Sequence, residues 1–439
     1  MKICKYKNNN GDIIIFALVF MSIFLVMAGG LLGVVKMNRK FTLQKESQYN
    51  ALEIAESGIN YYHWLLAHNP RDYSDGNGEE MCDIEPPYTC GPYIHDHLDG
   101  GGKKIGAFEL LITPPPAGST IITIQSTGWT DRFPNVKRTI STRYGVPSLA
   151  EYSFLEDTAM VFSATSETWG KVHSNFKIEF NGTNHSTVES AKNGNGVTGI
   201  GGPQDLWHWP VPAIDFNRIT QDLSLIRAEA IANGIYLNTS GSQGYHLVLK
   251  ENETIDIYYV TRIYWYGDIR EQSFLENRSL EDIHLIFVED NLWIDGVVTN
   301  FLTIGSARFP DNKKTNTTIY IPDNITYASR DSSNILGLIA QKDIILTYLV
   351  PNEMTIDGHL IAQKGTVERP CYWFDYKDSL TIYGGIISKE GGGFKCAYED
   401  GYFGFKDTYY YSNPNAIYYP PPMFPISSTS TLISWEELE

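Results

Sequence analysis

Five cysteines are the residues of this chain whose type and spacing predict a definite chemistry. Cys4 precedes a long apolar segment, and the other four form two sequence-near pairs, Cys82 with Cys90 and Cys371 with Cys396. Such pairs are typical of disulfide-bonded loops in an oxidising compartment, although four reduced, buried thiols are the alternative. The spacing matches no zinc site, so we expect no metal and no other cofactor.

Two histidines in the stretch YIHDHLD are the best candidates for metal ligands outside the cysteines. His95 and His97 flank Asp96 within residues 71–105, a region rich in Asp, Gly and Pro that predicts a loop. In a loop such a group is more often a solvated turn than a binding site. We therefore expect no metal here.

Catalysis would require clustered carboxylates. Asp295, Asp343 and Asp357 lie on repeated segments, with Lys342 and Lys364 nearby. A polysaccharide lyase or hydrolase uses such groups for acid–base work or for Ca²⁺. Alternation along strands explains these residues equally well, as polar side chains on the solvated outer face of each strand. Because the common nucleophile, zinc, phosphate and dinucleotide motifs are missing from the sequence, we expect no enzyme and no catalytic residue, with a glycan-cleaving β-helix as the lesser alternative.

Composition excludes other classes. The 439 residues are enough for two or three domains, and 42% of them are hydrophobic, which is too apolar for a disordered chain. The net charge is -17. So acidic a surface repels phosphate backbones, and we expect no nucleic-acid partner.

The longest predicted element is a helix at the N-terminus. Residues 13–35 contain no charge, and this run exceeds the roughly 20 residues that a helix needs to cross a bilayer. A secretory signal peptide, the alternative, has an apolar core of only about 7–15 residues. The residues predicted to anchor the chain in the membrane are Ile13, Phe16, Leu18, Phe20, Phe24, Leu25, Leu31 and Val35.

The helical pattern continues beyond the apolar run and ends at Asn69-Pro70. One apolar face recurs at steps of three and four residues, at Leu52, Ala55, Ile59, Tyr62 and Leu66. Lysines and arginines lie on both sides of the span, so charge does not decide the orientation. The paired cysteines favour an external C-terminal part.

This N-terminal region, residues 1–70, resembles that of type IV prepilins: a basic leader, a glycine, and an apolar helix that becomes amphipathic. The stretch ALEIAESGINYYHWL resembles the A-E-x-G-I segment of PilX-type minor pilins through Ala55, Glu56, Gly58 and Ile59. The resemblance implies cleavage by a prepilin peptidase after Gly11, leaving Asp12 first. It also implies an inner-membrane location and assembly with other pilins through the helix.

Two positions depart from the prepilin pattern. Phe16 occupies the fifth mature position, where major pilins have glutamate, and Asp12 replaces the usual aromatic residue or methionine. In the family, only atypical, tip-associated minor members lack that glutamate. It stays open that Gly11 is a loop glycine, or that the chain never enters a filament.

The body is predicted to be mainly β. Strand-like segments at 106–113, 119–127 and 137–145, separated by turn residues, predict a small antiparallel sheet on the long helix. After Pro147, the string IAQK occurs at residues 339–342 and again at 361–364, and similar flanks continue to 392. A period of 20–25 residues is typical of a solenoid, here a parallel β-helix, with an irregular β-sandwich as the alternative.

Specific residues follow from the β-helix prediction. Ile339, Ile361 and Ile386 are expected to stack in the interior, and the glycines expected at corners are Gly296, Gly358 and Gly384. A packing helix is predicted between a cap at Asp215 and an end at Gly234. Its apolar stripe comprises Phe216, Ile219, Leu223, Ile226 and Ala230. The Tyr- and Pro-rich tail is predicted to wrap the β body as a strap, with a recognition surface as the alternative.

The sequence thus predicts an α+β, mainly β chain. Its predicted segments are a leader (1–11), a transmembrane and amphipathic helix (12–70), a small β head (71–147), a β-helix-like domain (148–406) and a tail (407–439). The predicted function is a minor pilin or pilus assembly component, single-pass in the inner membrane with an extracytoplasmic C-terminal domain. A membrane-anchored surface adhesin that binds a glycan or another surface ligand is the main alternative.

Overall fold

The computed structural model describes residues 10–69, 72–76, 82, 88–116, 118–398, 401–427 and 430–438, without the side chains of residues 10–12, 217–222, 397 and 398. The leader with Cys4, and Pro70 at the predicted helix end, lie outside the described residues. The chain divides into two compact units. One comprises Met1–Pro114, Ile122–Tyr144 and Leu432–Glu439, and the other Pro115–Ile121 and Gly145–Thr431.

The long N-terminal helix predicted from the sequence is confirmed. Helix α1 extends over Asn10–His68 without interruption. Its sequence from residue 12 to residue 68 contains no proline, and it ends next to Asn69. One side of its second half is buried, including the predicted Ala55, Ile59, Tyr62 and Leu66. Leu52 is only partly buried, and Ala51 and Ile54 complete the buried face instead.

The smaller unit packs this face of α1 on an antiparallel sheet. Its strands are β1 (Cys90–Leu98), β2 (Lys104–Thr113), β3 (Ile121–Thr130) and β4 (Phe133–Gly145), followed by the C-terminal strand Thr431–Leu438. Strand β1 lies in the region predicted as loop, which corrects that prediction. Its Pro, Asp and His residues hid the alternation: Tyr93, His95 and His97 all point to the same side.

Glycines let the helix approach this sheet closely. A Cβ atom on Gly58 would lie 2.3 Å from Ser126 Oγ and 2.8 Å from Phe108 Cδ2. On the sheet side, a Cβ atom on Gly128 would lie 2.3 Å from the carbonyl oxygen of Ala51. Gly58 therefore lies at a close contact between the helix and the sheet.

The larger unit is a parallel β-solenoid. Its strands are β5 (Tyr152–Glu156), β6 (Met160–Phe162), β7 (Ser166–Thr168), β8 (Lys171–Ser174), β9 (Ile178–Phe180), β10 (Thr183–Asn184), β11 (Val188–Ser190), β12 (Val197–Thr198), β13 (Trp207–His208), β14 (Ile235–Leu237), β15 (Gly244–Lys250), β16 (Thr254–Ile263), β17 (Ile269–Ser279), β18 (Leu285–Val288), β19 (Leu292–Val298), β20 (Phe301–Ser306), β21 (Ile319–Ile321), β22 (Ile325–Tyr327), β23 (Ile335–Ala340), β24 (Ile344–Leu346), β25 (Glu353–Ala362), β26 (Val367–Glu368), β27 (Tyr376–Ser388), β28 (Lys395–Tyr398) and β29 (Gly401–Tyr411). Helix α2 (Asn217–Asn233) and three short 3₁₀ turns (Leu149–Glu151, Gln204–Leu206 and Pro414–Ile417) complete it.

The IAQK repeats stack in register, but one residue away from the predicted interior column. Ile339 pairs with Ile361 and then with Ile387, not Ile386. This column belongs to a second apolar cluster on the outer side of the sheet. Ile386 is interior, but in the neighbouring column with Leu360. Because side chains alternate along a strand, a shift of one residue exchanges the two sides.

Two of the three predicted corner glycines have the left-handed backbone that favours glycine. The φ angles are 108° at Gly296 and 147° at Gly384. A Cβ atom on Gly384 would lie 2.1 Å from the carbonyl oxygen of Gly358. Gly358 itself has no such φ, so its prediction as a corner glycine is not supported.

The coils of the solenoid are not stacked in chain order. The first run of coils comprises β5 to β13. Helix α2 follows it, and the second run, β14 to β29, then returns towards the first. The last coil meets the first, because Ile386–Ser388 of β27 pair with Phe154–Glu156 of β5. We call this junction the seam. Helix α2 has 17 residues and is about 25 Å long, or roughly five strand spacings.

The predicted packing helix is thus confirmed with a structural role. Leu223, Ile226 and Ala230 are buried against the outer apolar cluster, and Gly234 follows the last turn. The N-cap residue is Phe216 instead of Asp215, and the side chain of Ile219 lies outside the described ones.

The tail does not form one separate segment. Strand β29 continues across the predicted boundary at 406, and residues up to Phe424 pack on the larger unit as the predicted strap. Thr303 Oγ1 donates a hydrogen bond of 2.5 Å to the carbonyl oxygen of Pro422. The end of the chain, Thr431–Leu438, is instead a strand of the smaller unit's sheet.

Candidate functional sites: an apolar helix and an aromatic groove

The first half of α1 is an unpartnered apolar surface. It is a helix long and apolar enough to cross a membrane. The eight predicted anchor residues are all exposed: Ile13, Phe16, Leu18, Phe20, Phe24, Leu25, Leu31 and Val35. A Cβ atom on Gly29, Gly30 or Gly33 would meet nothing within 4 Å, so another helix can approach there. Such a surface requires lipid or other apolar helices around it.

The predicted cleavage site lies at the start of this helix. Gly11 and Asp12 are both helical, so Gly11 does not lie in a loop. Their side chains lie outside the described ones. Phe16, at the position where major pilins have glutamate, is exposed with its apolar neighbours. The exposed surface therefore carries no charge from Ile13 to Val35.

Both predicted cysteine pairs are at disulfide-bonding distance. Cys82 bonds Cys90 at the start of β1, and Cys371 bonds Cys396 in β28. The first pair attaches Cys82 to the small sheet, where Cys90 is fully buried. The second closes a loop of the larger unit that carries exposed aromatic residues.

The histidine pair is part of the packing of the smaller unit. His95 Nε2 lies 2.7 Å from Asp75 Oδ2, and its ring stacks on Phe108 with centroids 5.3 Å apart. His97 lies two residues further on the same strand. Within the described residues no group of three or more potential ligands could hold a metal ion.

The structure does not bring the three candidate carboxylates together. Asp295 Oδ2 lies 2.8 Å from His246 Nε2, and Asp343 pairs with Lys342 at 2.6 Å. Asp357 is buried and accepts hydrogen bonds from Arg330 Nη2 and from the Tyr327 backbone. Lys364 pairs with Asp311 instead. Each carboxylate thus has its own structural partner.

A groove of aromatic residues on the larger unit was missed at the sequence level. It has a volume of about 460 Å³ and lies between the turn at residues 263–267 and the loop at 370–373, with Tyr320 and Ile345 also in its lining. Trp265 is 85% exposed and Trp373 is 76% exposed. The sequence signal was a repeated triplet: Tyr264-Trp265-Tyr266 and Tyr372-Trp373-Phe374.

Contacts between these two segments hold the groove in shape. Tyr372 Oη donates a hydrogen bond of 3.3 Å to the carbonyl oxygen of Tyr266, and the two rings meet edge to face at 5.1 Å. Trp293 Nε1 donates a 2.7 Å hydrogen bond to the carbonyl oxygen of Gly267 and so holds the turn in place. The Trp293 ring also stacks on Tyr320.

A buried arginine supports the loop at residues 370–374. The Arg369 side chain is fully buried, forms an ion pair with Asp375, and donates to the carbonyl oxygen of Tyr348 at 3.3 Å. Its guanidinium group lies 4.8 Å from the centroid of the Tyr372 ring. Burial lowers the pKa of Arg369 to about 10, so it stays charged at neutral pH. The charge is thus used inside the fold and does not line the groove.

The larger unit also contains a buried carboxylate beside a cavity. Glu156, at the end of β5, lines a cavity of about 380 Å³ with Phe154, Phe162 and Tyr410. Burial raises the pKa of Glu156 to about 8. Among the described residues it has no ion-pair partner, so the neutral acid is the form that the seam accommodates at neutral pH.

Comparisons with known proteins give little. No protein-family model and no curated protein matches the sequence. Among solved structures, the chain is similar to the competence-associated pilin ComZ from Thermus thermophilus, at 11% identity and a TM-score of 0.32, over 89% of this chain and 97% of that one. A similarity of this size supports no functional assignment.

Proposed function

We propose that this chain is a membrane-anchored subunit or assembly factor of a type IV pilus-like system, of the PilX-type minor pilin kind. The observation that carries the proposal is the division of α1. Its first half exposes a continuous uncharged apolar surface, and its second half is buried on the sheet of its own unit. The same helix therefore serves as anchor and as the core of a folded head.

The mechanism is non-enzymatic. Lipid surrounds the apolar half while the chain is in the inner membrane, with the disulfide-containing units outside. During assembly, helices of other pilins replace the lipid, an exchange of one apolar contact for another. Gly29, Gly30 and Gly33 allow close helix approach during this exchange. A prepilin peptidase would act after Gly11, before Asp12.

A second function, surface adhesion, is favoured by the aromatic groove. Monomeric proteins seldom expose tryptophan side chains as fully as this chain exposes Trp265 and Trp373. Adhesion and membrane anchoring are compatible, because the groove and the apolar helix belong to different units. An adhesin held by α1 would present its ligand site outside the membrane.

Two pairs of lysine substitutions test the anchor. Phe24→Lys with Leu31→Lys places two charges in the apolar half, each costing about 3 kcal/mol at a bilayer centre. Phe41→Lys with Tyr49→Lys adds the same charge further along the helix, at residues that are also exposed. After alkaline carbonate washing, the parent chain and the second variant should stay with the membranes, and the first should be released. Release of the parent chain would contradict the proposal.

A further inference from the structure

We propose that the aromatic groove between Trp265 and Trp373 binds an uncharged polysaccharide. The inference deepens the adhesive part of the proposed function, since it names the ligand class of that site. It rests on four properties of the groove: its lack of charge, its exposed rings, its rigidity and its size.

The lining carries no charge. Its ten residues are aromatic, aliphatic, glycine, proline or the disulfide-bonded Cys371. The whole chain has a net charge of -17, so an uncharged lining is a local exception. An acidic glycan would find no cationic side chain in the lining, and a basic peptide would find no carboxylate there. A neutral ligand is the one whose charge matches.

The groove offers ring faces together with polar groups. An aromatic ring gives a flat apolar surface, and tyrosine adds a hydroxyl at its edge. A pyranose ring has the matching pattern, with an apolar C–H face and hydroxyl groups around it. Trp265 and Trp373 supply rings on opposite walls, and Tyr266 and Tyr320 supply rings with hydroxyl groups.

Several contacts hold the loop and the turn that carry the exposed rings. The Cys371–Cys396 disulfide and the Arg369–Asp375 ion pair enclose the loop, and Tyr372 is hydrogen-bonded to the opposite wall. Next to Trp373, Phe374 has a φ of 64° and is 81% exposed. A bulky residue in this left-handed backbone region is strained, and such strain is typically found at functional sites. Preorganised rings lose little entropy on binding.

The size of the groove favours a short stretch of sugar chain over a protein partner. Its volume of about 460 Å³ falls in the range of small-molecule sites. A stable protein interface buries about 1,200–2,000 Å² and usually carries a broad apolar core. Ile263 and Ile345 are the aliphatic side chains in the lining.

The test is affinity electrophoresis of the full chain in detergent, in native gels that contain one polysaccharide each. The neutral panel is soluble β-1,4-glucan, chitin oligomers, α-1,4-glucan and mannan, and polygalacturonate serves as the acidic comparison. At least one neutral polymer should retard the parent chain. Trp265→Ala and Trp373→Ala should each weaken binding at least tenfold, the effect expected of a central aromatic contact.

Trp209→Ala is the matched control, because Trp209 is 40% exposed in the same unit and does not line the groove. It should bind like the parent chain. Near-ultraviolet circular dichroism checks that each variant is folded. No retardation by any neutral polymer, equal retardation of the two groove variants and the parent, or retardation by polygalacturonate alone would overturn the inference. Because the assay uses detergent-held protein, its outcome is independent of whether the helix is processed or assembled.

Discussion

Lys389 forms an ion pair with Asp157, although 232 positions separate them in the chain. The pair lies at the seam, where β27 of the last coil meets β5 of the first. Asp157 also accepts a 2.7 Å hydrogen bond from Asn175 Nδ2. The seam thus joins two runs of coils that are distant in sequence, and its polar contacts contribute to closing the solenoid.

A double-mutant cycle measures this contact. Lys389→Met and Asp157→Asn should each destabilise the larger unit, and their coupling free energy should be about 0.5–1 kcal/mol, because both side chains are partly exposed. Urea unfolding followed by circular dichroism provides the free energies of unfolding. Strictly additive effects would show that the pair does not support the seam.

The second prediction concerns the disulfides. In the loop-entropy description, a bond that closes 25 residues contributes ~3.5 kcal/mol, and one that closes eight contributes ~2.5 kcal/mol. Cys371→Ser with Cys396→Ser should lower the stability of the larger unit by about 3.5 kcal/mol, the value for the longer loop. Cys82→Ser with Cys90→Ser is the matched control, and should leave the unfolding of the larger unit unchanged. An unaltered larger unit in the first variant would contradict the predicted role.

The third prediction is a stability that falls on acidification because of His359. This histidine is fully buried, neither ring nitrogen has a hydrogen-bond partner among the described residues, and burial lowers its pKa from 6.5 to about 3. The folded state therefore disfavours its protonation, and its contribution is lost as the pH falls below 6.5. Relative to His359→Leu, the parent should lose about 1.4 kcal/mol per pH unit from about pH 6.5 to 4. Parallel stability curves for the two chains would contradict this.

Glu156 should act in the opposite direction. Its pKa is raised from 4.5 to about 8, so its contribution is complete below pH 4.5 and is lost as the pH rises towards 8. Glu156→Gln keeps the shape of the side chain but removes the titrating carboxyl group. Relative to the parent, this variant should gain about 1.4 kcal/mol per pH unit between about pH 5 and 7 in urea unfolding. A constant difference between the two curves would mean that Glu156 does not titrate in this way.

The final stability prediction concerns Gly58. Alanine usually stabilises a helix interior by about 1 kcal/mol over glycine, but here its methyl group would overlap Ser126 and Phe108. Gly58→Ala should therefore lower the thermal stability of the smaller unit, with a net cost of about 1–3 kcal/mol. Gly33→Ala, where nothing lies within 4 Å, is the control and should not destabilise it. Equal melting of both variants would show that the packing is looser than described.

The sequence was sufficient to predict the class of fold but not the register of its strands. Residues 13–35 and the apolar face from Ala55 to Leu66 predicted α1, because helix periodicity and length are local properties. The IAQK repeats predicted stacked coils. They could not show whether Ile386 or Ile387 continues the column, because strands buried on both sides are apolar throughout.

Features made by distant residues were not predictable from local patterns. The seam pairs β5 with β27, and no periodicity connects segments so far apart. The last strand, Thr431–Leu438, follows a proline-rich stretch and returns to the first unit. Two similar aromatic triplets indicated the groove, but their proximity in space depends on the stacking of the coils. Strand β1 was missed because its inward side chains include His95 and His97.

N-terminal sequencing of the chain, produced with and without a prepilin peptidase, is the direct test of processing as a pilin. We expect a new N-terminus at Asp12 that appears only when the peptidase is present. A chain that still begins at Met1 in the presence of an active peptidase would contradict processing as a pilin. The apolar half of α1 would then be a permanent anchor for a surface β-solenoid.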